Sequence, residues 1–158
     1  MSLSSTPSTP STRRPTLAAG LFLATCASFL GAVPAQAADL TVVVSNITSN
    51  AGNVMVGLFD SAAAFPKTVT QGVLAAAAER DATGRVTLVL RDLSPGTYAV
   101  SAYHDLDANG QVNNNLMGLP VEPYGFANNA RGSFGPPSFQ AASVALRAQG
   151  LAIELKVQ

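Results

Sequence analysis

The residues with the clearest chemical pattern lie between positions 105 and 110. This hexapeptide reads DLDANG, so oxygen-bearing side chains alternate with residues that carry none, and a glycine follows. In a calcium-binding loop, alternate residues direct oxygen ligands toward one hard cation, and glycine at the sixth position permits the sharp turn. The spacing therefore predicts that Asp105, Asp107 and Asn109 converge on a cation such as calcium.

Three further residues are candidates for the rest of the ligand shell. Gln111 occupies the seventh position, which contributes a backbone carbonyl, and Asn113 occupies the ninth. The twelfth position normally carries a bidentate Glu, but Leu116 stands there, and the expected flanks are a strand and a loop. The segment is therefore not an EF-hand, and Glu122 is the nearby acid that we expect to complete a calcium site.

Two other interpretations of these acidic residues stay open. Asp and Asn beside Gly also stabilise ordinary turns, because their side chains accept hydrogen bonds from backbone amides. Paired carboxylates also act as acid and base in hydrolysis, which would combine Asp105 or Asp107 with Glu122. Any acidic loop permits that pairing, and the sequence contains no G-x-S-x-G, HExxH or phosphate-binding glycine loop. We therefore expect no catalytic residues and a protein that is not an enzyme.

His104 is the single histidine of the chain. It keeps the parity of Tyr98, Val100 and Ala102, so it lies on the inward face at the end of a predicted strand. A single inward histidine is more often a hydrogen-bonded core residue than a ligand, and we expect the core role here.

The elements that would position these residues are strands. Period-two alternation of apolar and polar residues, typical of half-buried strands, predicts strands at 40–45, 54–58, 86–91, 98–102 and 151–157. Two weaker strands are predicted at 72–79 and 141–148, and a helical turn at 74–78 is the alternative there. Seven short strands separated by turn signals predict an all-β fold, an antiparallel β-sandwich.

The segment 105–139 interrupts this rhythm. It is rich in Asn, Gly and Pro and shows no alternation, and connections of this length are usually functional loops or disordered. Aromatic residues argue against disorder and supply material for packing. We therefore predict one long functional loop, whose aromatic residues are Tyr124, Phe126, Phe134 and Phe139.

Residues 1–37 contain the three parts of a secretory signal peptide. Arg13 and Arg14 form a positive region, 17–33 is apolar and uncharged, and Ala-Gln-Ala at 35–37 resembles a leader-peptidase site. Cleavage before Ala38 would leave a single sandwich domain at 38–158. A transmembrane anchor, a twin-arginine leader and a lipoprotein acylated at Cys26 are the weaker alternatives.

Charge and cysteine content narrow the partners of residues 38–158. The leader contains the only cysteine and two of the nine basic residues, which leaves seven basic against nine acidic residues, a net charge of −2. Without a basic stripe, nucleic acid and anionic membrane surfaces are not expected as partners. Without cysteine, the domain has neither a disulfide nor thiol chemistry.

Two stretches of the chain resemble known families. Residues 92–100, DLSPGTYAV, resemble the L-x-P-G-x-Y-x-V signature of transthyretin-like sandwich modules, which include carboxypeptidase regulatory domains. Residues 39–157, most densely 92–139, resemble the exported bacterial family catalogued as domain of unknown function 2141 (DUF2141). The matching residues are His104-Asp105, Asn109-Gly110, Gly118-Leu119-Pro120, Glu122, Tyr124-Gly125-Phe126, Asn128-Asn129 and 134–139.

The resemblance implies a secreted β-sandwich, transthyretin-like or immunoglobulin-like, with no established activity. The family pattern usually has Asp where Asn113 stands, so this chain carries one charge fewer around the candidate ion.

The leading hypothesis is a non-enzymatic β-sandwich module of the bacterial cell envelope, periplasmic or extracellular. Loop 105–139 would be its working surface, and an envelope glycan, a peptide or a protein its partner, with no membrane span after cleavage. The alternative is a hydrolase of envelope glycans or peptides that uses Asp105, Asp107 and Glu122. The sequence leaves the ligand and the oligomeric state open.

We expect the mature chain to begin at Ala38, because Ala35 and Ala37 satisfy the small-residue rule of leader peptidase. N-terminal sequencing of the protein recovered from an exporting bacterial host checks this. An intact leader, or a mature chain that begins at an acylated Cys26, would contradict the prediction.

Overall fold

The computed structural model describes residues 36–158, so the predicted leader lies outside the described part except for its last two residues. Among residues 36–158, no helix is long and apolar enough to cross a membrane. The described residues form eight strands and two single 3-10 turns, at Ala77–Glu79 and Ala127–Asn129. The strands are β1 (Ala38–Ser45), β2 (Asn53–Phe59), β3 (Gln71–Ala76), β4 (Val86–Leu93), β5 (Gly96–Asp105), β6 (Tyr124–Phe126), β7 (Ser143–Leu146) and β8 (Leu151–Lys156).

The smaller sheet has three strands, with β1 between β4 and β8. Leu40, Val42 and Val44 of β1 are completely buried, whereas the residues between them are partly exposed. This is the alternation that the sequence predicts, because successive side chains of a strand point to opposite faces. β1 pairs antiparallel with β4 and parallel with β8, so this sheet contains one parallel pair.

The larger sheet has five strands and depends on β5. Its path is β3-β2-β5-β6, and β7 also pairs with β5. β7 pairs with the first half of β5, at Gly96 to Ala99, and β6 pairs with the second half, at Ser101 to Tyr103. The end of β5 and the start of β6 therefore lie side by side, which determines where the acidic residues meet.

The two sheets pack against each other through one apolar cluster. Burial of apolar surface is the main driving force of folding, and both sheets contribute completely buried side chains to it. The cluster runs from Ala38 to Val157, so 38–158 contains all the described strands and their core, and we expect this range to fold on its own. Its members include Leu40, Val42, Val44, Leu90 and Leu155 from the smaller sheet and Val54, Val56, Leu58, Val100 and Ala102 from the larger.

The all-β class is confirmed, with eight described strands against about seven predicted. The two weaker predictions correspond to β3 and β7, and the 3-10 turn at Ala77–Glu79 follows β3 directly. The additional strand, β6, lies within the segment 105–139, which is therefore not one uninterrupted loop. A strand of three residues is too short for its alternation to be detected in the sequence.

A second, smaller apolar cluster covers the opposite face of β5. Phe59, Ala99, Phe126 and Ala142 are buried there, and the ring of Phe65 contacts those of Phe59, Phe126 and Phe139 edge to face, with ring centroids 5.1, 5.6 and 6.2 Å apart. Edge-to-face contacts between aromatic rings are favourable. Through this cluster, the second half of segment 105–139 packs against the larger sheet. Phe126 and Phe139 pack as the aromatic content suggests, but Phe134 is fully exposed.

The turn before β5 explains the residues of the LSPGTY motif. Leu93 is buried, and the Tyr98 ring folds back over the turn so that its hydroxyl donates a hydrogen bond to the Ser94 carbonyl at 2.8 Å. A Cβ at Gly96 would lie 3.3 Å from Cε2 of that ring, so glycine leaves room for it. The hydroxyl therefore has a backbone partner, and the ring is half-buried against the core.

We expect Tyr98→Phe to lower the free energy of unfolding by about 1 kcal/mol, the usual net contribution of one hydrogen bond. Tyr98→Ala should cost about 2–3 kcal/mol, because the ring is only half-buried, against roughly 3–5 for a fully buried aromatic. Urea denaturation measures both. Tyr124→Phe is the matched control, since Tyr124 is exposed and its hydroxyl makes no side-chain hydrogen bond among the described residues. Equal stability of Tyr98→Phe and wild type would contradict the assignment.

Candidate functional site

The acidic residues of the candidate site meet where β5 ends and β6 begins. The antiparallel register pairs Tyr103 with Tyr124, and the amide of His104 donates to the Pro123 carbonyl at 2.8 Å. Continuing this register by one further pair places Asp105 opposite Glu122. Asp105 is completely buried and Glu122 is 4% exposed, so the sheet holds two carboxylates in the protein interior.

Both buried carboxylates accept hydrogen bonds from the backbone of the loop that joins them. Asp105 accepts from the amides of Asn109 at 3.1 Å and Gly110 at 2.8 Å. Glu122 accepts from the amides of Leu106 at 2.8 Å and Asn113 at 2.9 Å. Because buried polar groups need partners, these four bonds stabilise both the carboxylates and the loop.

Asp107 completes the acidic cluster from the solvent side. Its Oδ2 accepts hydrogen bonds from the side-chain amides of Asn113 at 2.9 Å and Asn109 at 3.0 Å. The hydrogen bond from the Asn113 side chain is the main reason why the pKa of the Asp107 carboxyl is lowered from its ordinary value. Asp107 is therefore ionised at neutral pH, as a cation ligand must be.

The three acidic side chains together could hold a metal ion. Asp105, Asp107 and Glu122 each offer a carboxylate oxygen, and these oxygens lie within 4.8 Å of one another. In residues 36–158 the ion pairs are Arg85–Glu154 and Arg91–Asp39, so no basic side chain pairs with the cluster. Burial raises the pKa of the Tyr103 hydroxyl, and the negative charges of Asp105 and Glu122 raise it further. Three carboxylates without a basic partner among residues 36–158 make the electrostatic potential at this end of β5 negative.

The other predicted ligands take part mainly through hydrogen bonds. The side-chain oxygen of Asn109 accepts from the amide of Gln111 at 2.7 Å, and that of Asn113 accepts from the Asn109 side chain at 2.8 Å. The residues predicted from the sequence therefore form one connected set. The carboxylates converge, and the side-chain amides of Asn109 and Asn113 bond to Asp107 and to each other. The turn-forming interpretation accounts for the bonds that backbone amides donate to these side chains, but not for the side-chain bonds that join Asn109 and Asn113 to each other and to Asp107. Both kinds of bond are compatible with an ion bound to the remaining oxygen lone pairs.

His104 occupies the core position that its parity predicts. It is 1% exposed, and its Nε2 donates to the Ala51 carbonyl at 2.8 Å, so it lies outside the acidic cluster. The adjacent Gly52 has φ of +70°, and a Cβ there would overlap the carbonyl oxygen of Asp105. The turn before β2 therefore packs directly against the backbone of the site.

Residues 113–121 form a feature that the sequence interpretation missed, a short hairpin called here the finger. Asn113 and Val121 are bonded at its base at 2.8 Å, and Asn115 accepts from Gly118 at 2.9 Å to close its turn. Leu116 and Met117 lie at the centre of that turn, 107% and 83% exposed. Asn at the first and Gly at the fourth position are typical of a type I turn, so the turn itself was detectable.

The described residues also form a surface cleft of about 110 Å³. Its lining includes Tyr124, Asn129, Arg131 and Lys156, and it contains no Asp or Glu side chain. The carboxylates therefore do not line this cleft.

We expect Glu122→Ala to lower the free energy of unfolding by roughly 2–4 kcal/mol, because two partly buried amides lose their acceptor. The exposed Glu79 provides the control, since Glu79→Ala should change stability by less than about 0.5 kcal/mol. Chemical denaturation of residues 38–158 measures both. A Glu122→Ala variant as stable as Glu79→Ala would contradict a net stabilising role of the Glu122 carboxylate.

In the comparison with known proteins, no curated protein and no solved structure matches the chain. A family model described as "Uncharacterized protein conserved in bacteria (DUF2141)" matches residues 42–154, a span that contains most of both sheets, the acidic cluster and the finger. The resemblance seen in residues 92–139 is thereby confirmed, and the chain belongs to the DUF2141 family of bacterial proteins.

Proposed function

We propose that this protein is a non-enzymatic module of the bacterial cell envelope, whose segment 105–139 is stabilised by calcium and forms the binding surface. The observation that carries the proposal is the pair of buried carboxylates, Asp105 and Glu122, which has no basic partner among the described residues. A protein interior accepts such charges only when they are paired, hydrogen-bonded or bound to a metal.

The backbone amides offset part of the cost of this arrangement. Two unit charges within 4.8 Å of each other repel by about 3.5 kcal/mol or more at an effective dielectric constant of 20, and Asp107 adds a third charge at the surface. Amides are dipoles and carry no net charge, so they do not cancel the summed negative charge. A divalent cation would cancel most of it and would join both ends of the loop.

The chemistry of the donors favours calcium over other metals. The cluster offers carboxylate oxygens, and the Asn109 and Asn113 amides beside it offer more oxygen but neither sulfur nor imidazole. Hard oxygen donors from side chains and carbonyls, in irregular geometry, suit calcium better than the strict octahedron of magnesium. With Asn113 neutral, two or three carboxylates predict a dissociation constant of ~0.1–1 mM, as in extracellular modules.

The same geometry supports a binding module over a hydrolase. A general acid or base must reach the substrate, but Asp105 and Glu122 are buried and each accepts two backbone amides. Asp107 alone is exposed, and its lowered pKa does not suit a general acid. The leader-like residues 1–37 support export to the envelope, where calcium at millimolar levels would occupy a site of this affinity.

We expect 10 mM calcium to raise the thermal stability of residues 38–158. Mass action at a dissociation constant of ~0.1–1 mM gives about 1.4–2.7 kcal/mol, which is several degrees for a domain of this size. Asp107→Asn should abolish the shift while leaving a folded protein, because it removes one ligand charge at the surface. Scanning calorimetry with calcium or with chelator provides the measurement.

Asp81 offers a matched control for Asp107. It is also an exposed carboxylate that closes a turn, accepting from the amides of Thr83 at 2.8 Å and Arg85 at 3.0 Å, but it lies outside the acidic cluster. Asp81→Asn should therefore retain the full calcium shift. Equal melting temperatures of the wild type in excess calcium and in chelator would leave a loop held by hydrogen bonds alone.

A further inference from the structure

We infer that the finger, residues 113–121, is a membrane contact that inserts Leu116 and Met117 into the apolar edge of a lipid bilayer. The inference names a partner for the binding surface formed by segment 105–139, and it rests on the proposal that this segment is a binding surface. It requires neither calcium nor a basic surface, so it can fail while the calcium proposal stands.

The first argument is the position of the apolar residues. Turn centres usually carry Gly, Pro, Asn, Asp or Ser, because these residues suit the turn geometry and interact with water. Here the two central positions carry Leu116 and Met117, and Leu119 and Val121 on the returning arm are 56% and 60% exposed. Four large apolar side chains on one projecting hairpin are not explained by packing within the described chain.

The second argument is the backbone of the turn. The amides of Met117 and Leu119 donate to the side-chain oxygen of Asn115 at 2.9 and 3.0 Å, and the Gly118 amide donates to the Asn115 carbonyl. Backbone groups entering a bilayer must be satisfied internally, because no water is available there. Asn115 therefore accepts hydrogen bonds from three of the four amides at positions 116–119, which lowers the cost of moving the turn out of water.

The third argument is charge. Residues 108–121 contain no charged side chain, and the nearest acids, Asp107 and Glu122, lie at the base of the finger. Insertion of the tip would therefore bury no charge. With a net charge of −2 over residues 38–158, attraction to anionic headgroups is not the driving force, so contact should depend on apolar burial.

Size distinguishes a bilayer from a second copy of the chain. A stable protein interface buries roughly 800 Å² on each partner, more than a turn with four apolar side chains can offer. A bilayer requires no complementary surface and accepts a narrow apolar tip. The hydrogen bonds of Asp105 and Glu122 to the loop also hold the base of the finger in place, so little ordering is required on contact.

The chain contains no tryptophan, so Met117→Trp places one fluorophore at the tip of the finger. Residues 38–158 of this variant are mixed in chelator with vesicles of phosphatidylcholine, and separately of phosphatidylethanolamine with phosphatidylglycerol. We expect the emission to shift to shorter wavelength with both vesicles. Leu74→Trp, at an exposed position on β3, is the control and should show no shift.

A second variant tests the same contact without tryptophan. Leu116→Ser combined with Met117→Ser should lower vesicle partitioning of residues 38–158 about 10-fold or more, whereas Leu74→Ser should leave it unchanged. Absence of a shift with both vesicles, or an equal shift from Leu74→Trp, would overturn the inference. A shift that appears without vesicles and grows with protein concentration would replace the bilayer by a second copy of the chain. If calcium still raised the melting temperature in that case, the membrane inference would be wrong while the calcium proposal would stand.

Discussion

The hydrogen bonds from loop amides to the carboxylates of Asp105 and Glu122 are the interaction on which the rest of the site depends. Segment 105–123 contains almost no sheet pairing, so its backbone groups need other partners. Four amides find them on two carboxylates that the β5–β6 register places together. The loop is thereby folded around an acidic centre, and the finger projects from it.

This arrangement places demands on the fold beneath it. Gly52 leaves room for the Asp105 carbonyl at the end of β5, and the hydrogen bond from His104 to the Ala51 carbonyl holds the adjoining turn in place. The second, smaller apolar cluster packs the chain that follows β6 against the larger sheet. Glu122 therefore lies between two segments that are both held by packing, β5 and the chain from β6 onward. The position of the acidic cluster is therefore determined by the larger sheet, and a change in the β5 register would separate its members.

The sequence predicted those parts of this organisation that a single local residue pattern identifies. Period-two alternation identified β1 and β5, and the DLDANG spacing with Glu122 identified the residues of the acidic cluster. The three-residue β6 escaped, because alternation cannot be recognised over so short a length. The second, smaller apolar cluster and the exposed tip of the finger were also not predicted. Each depends on which face of a loop is covered, and contacts between residues distant in sequence determine that.

The amide spectrum of residues 38–158 during a calcium titration tests the proposed centre most directly. The amides of Leu106, Gly110 and Asn113 donate to Glu122 and Asp105, so their signals should move together along one binding curve. Those of Thr83 and Arg85, which donate to the isolated Asp81, should stay in place. Unchanged signals at Leu106, Gly110 and Asn113, or equal movement at Thr83 and Arg85, would contradict a calcium ion at the carboxylates of Asp105 and Glu122.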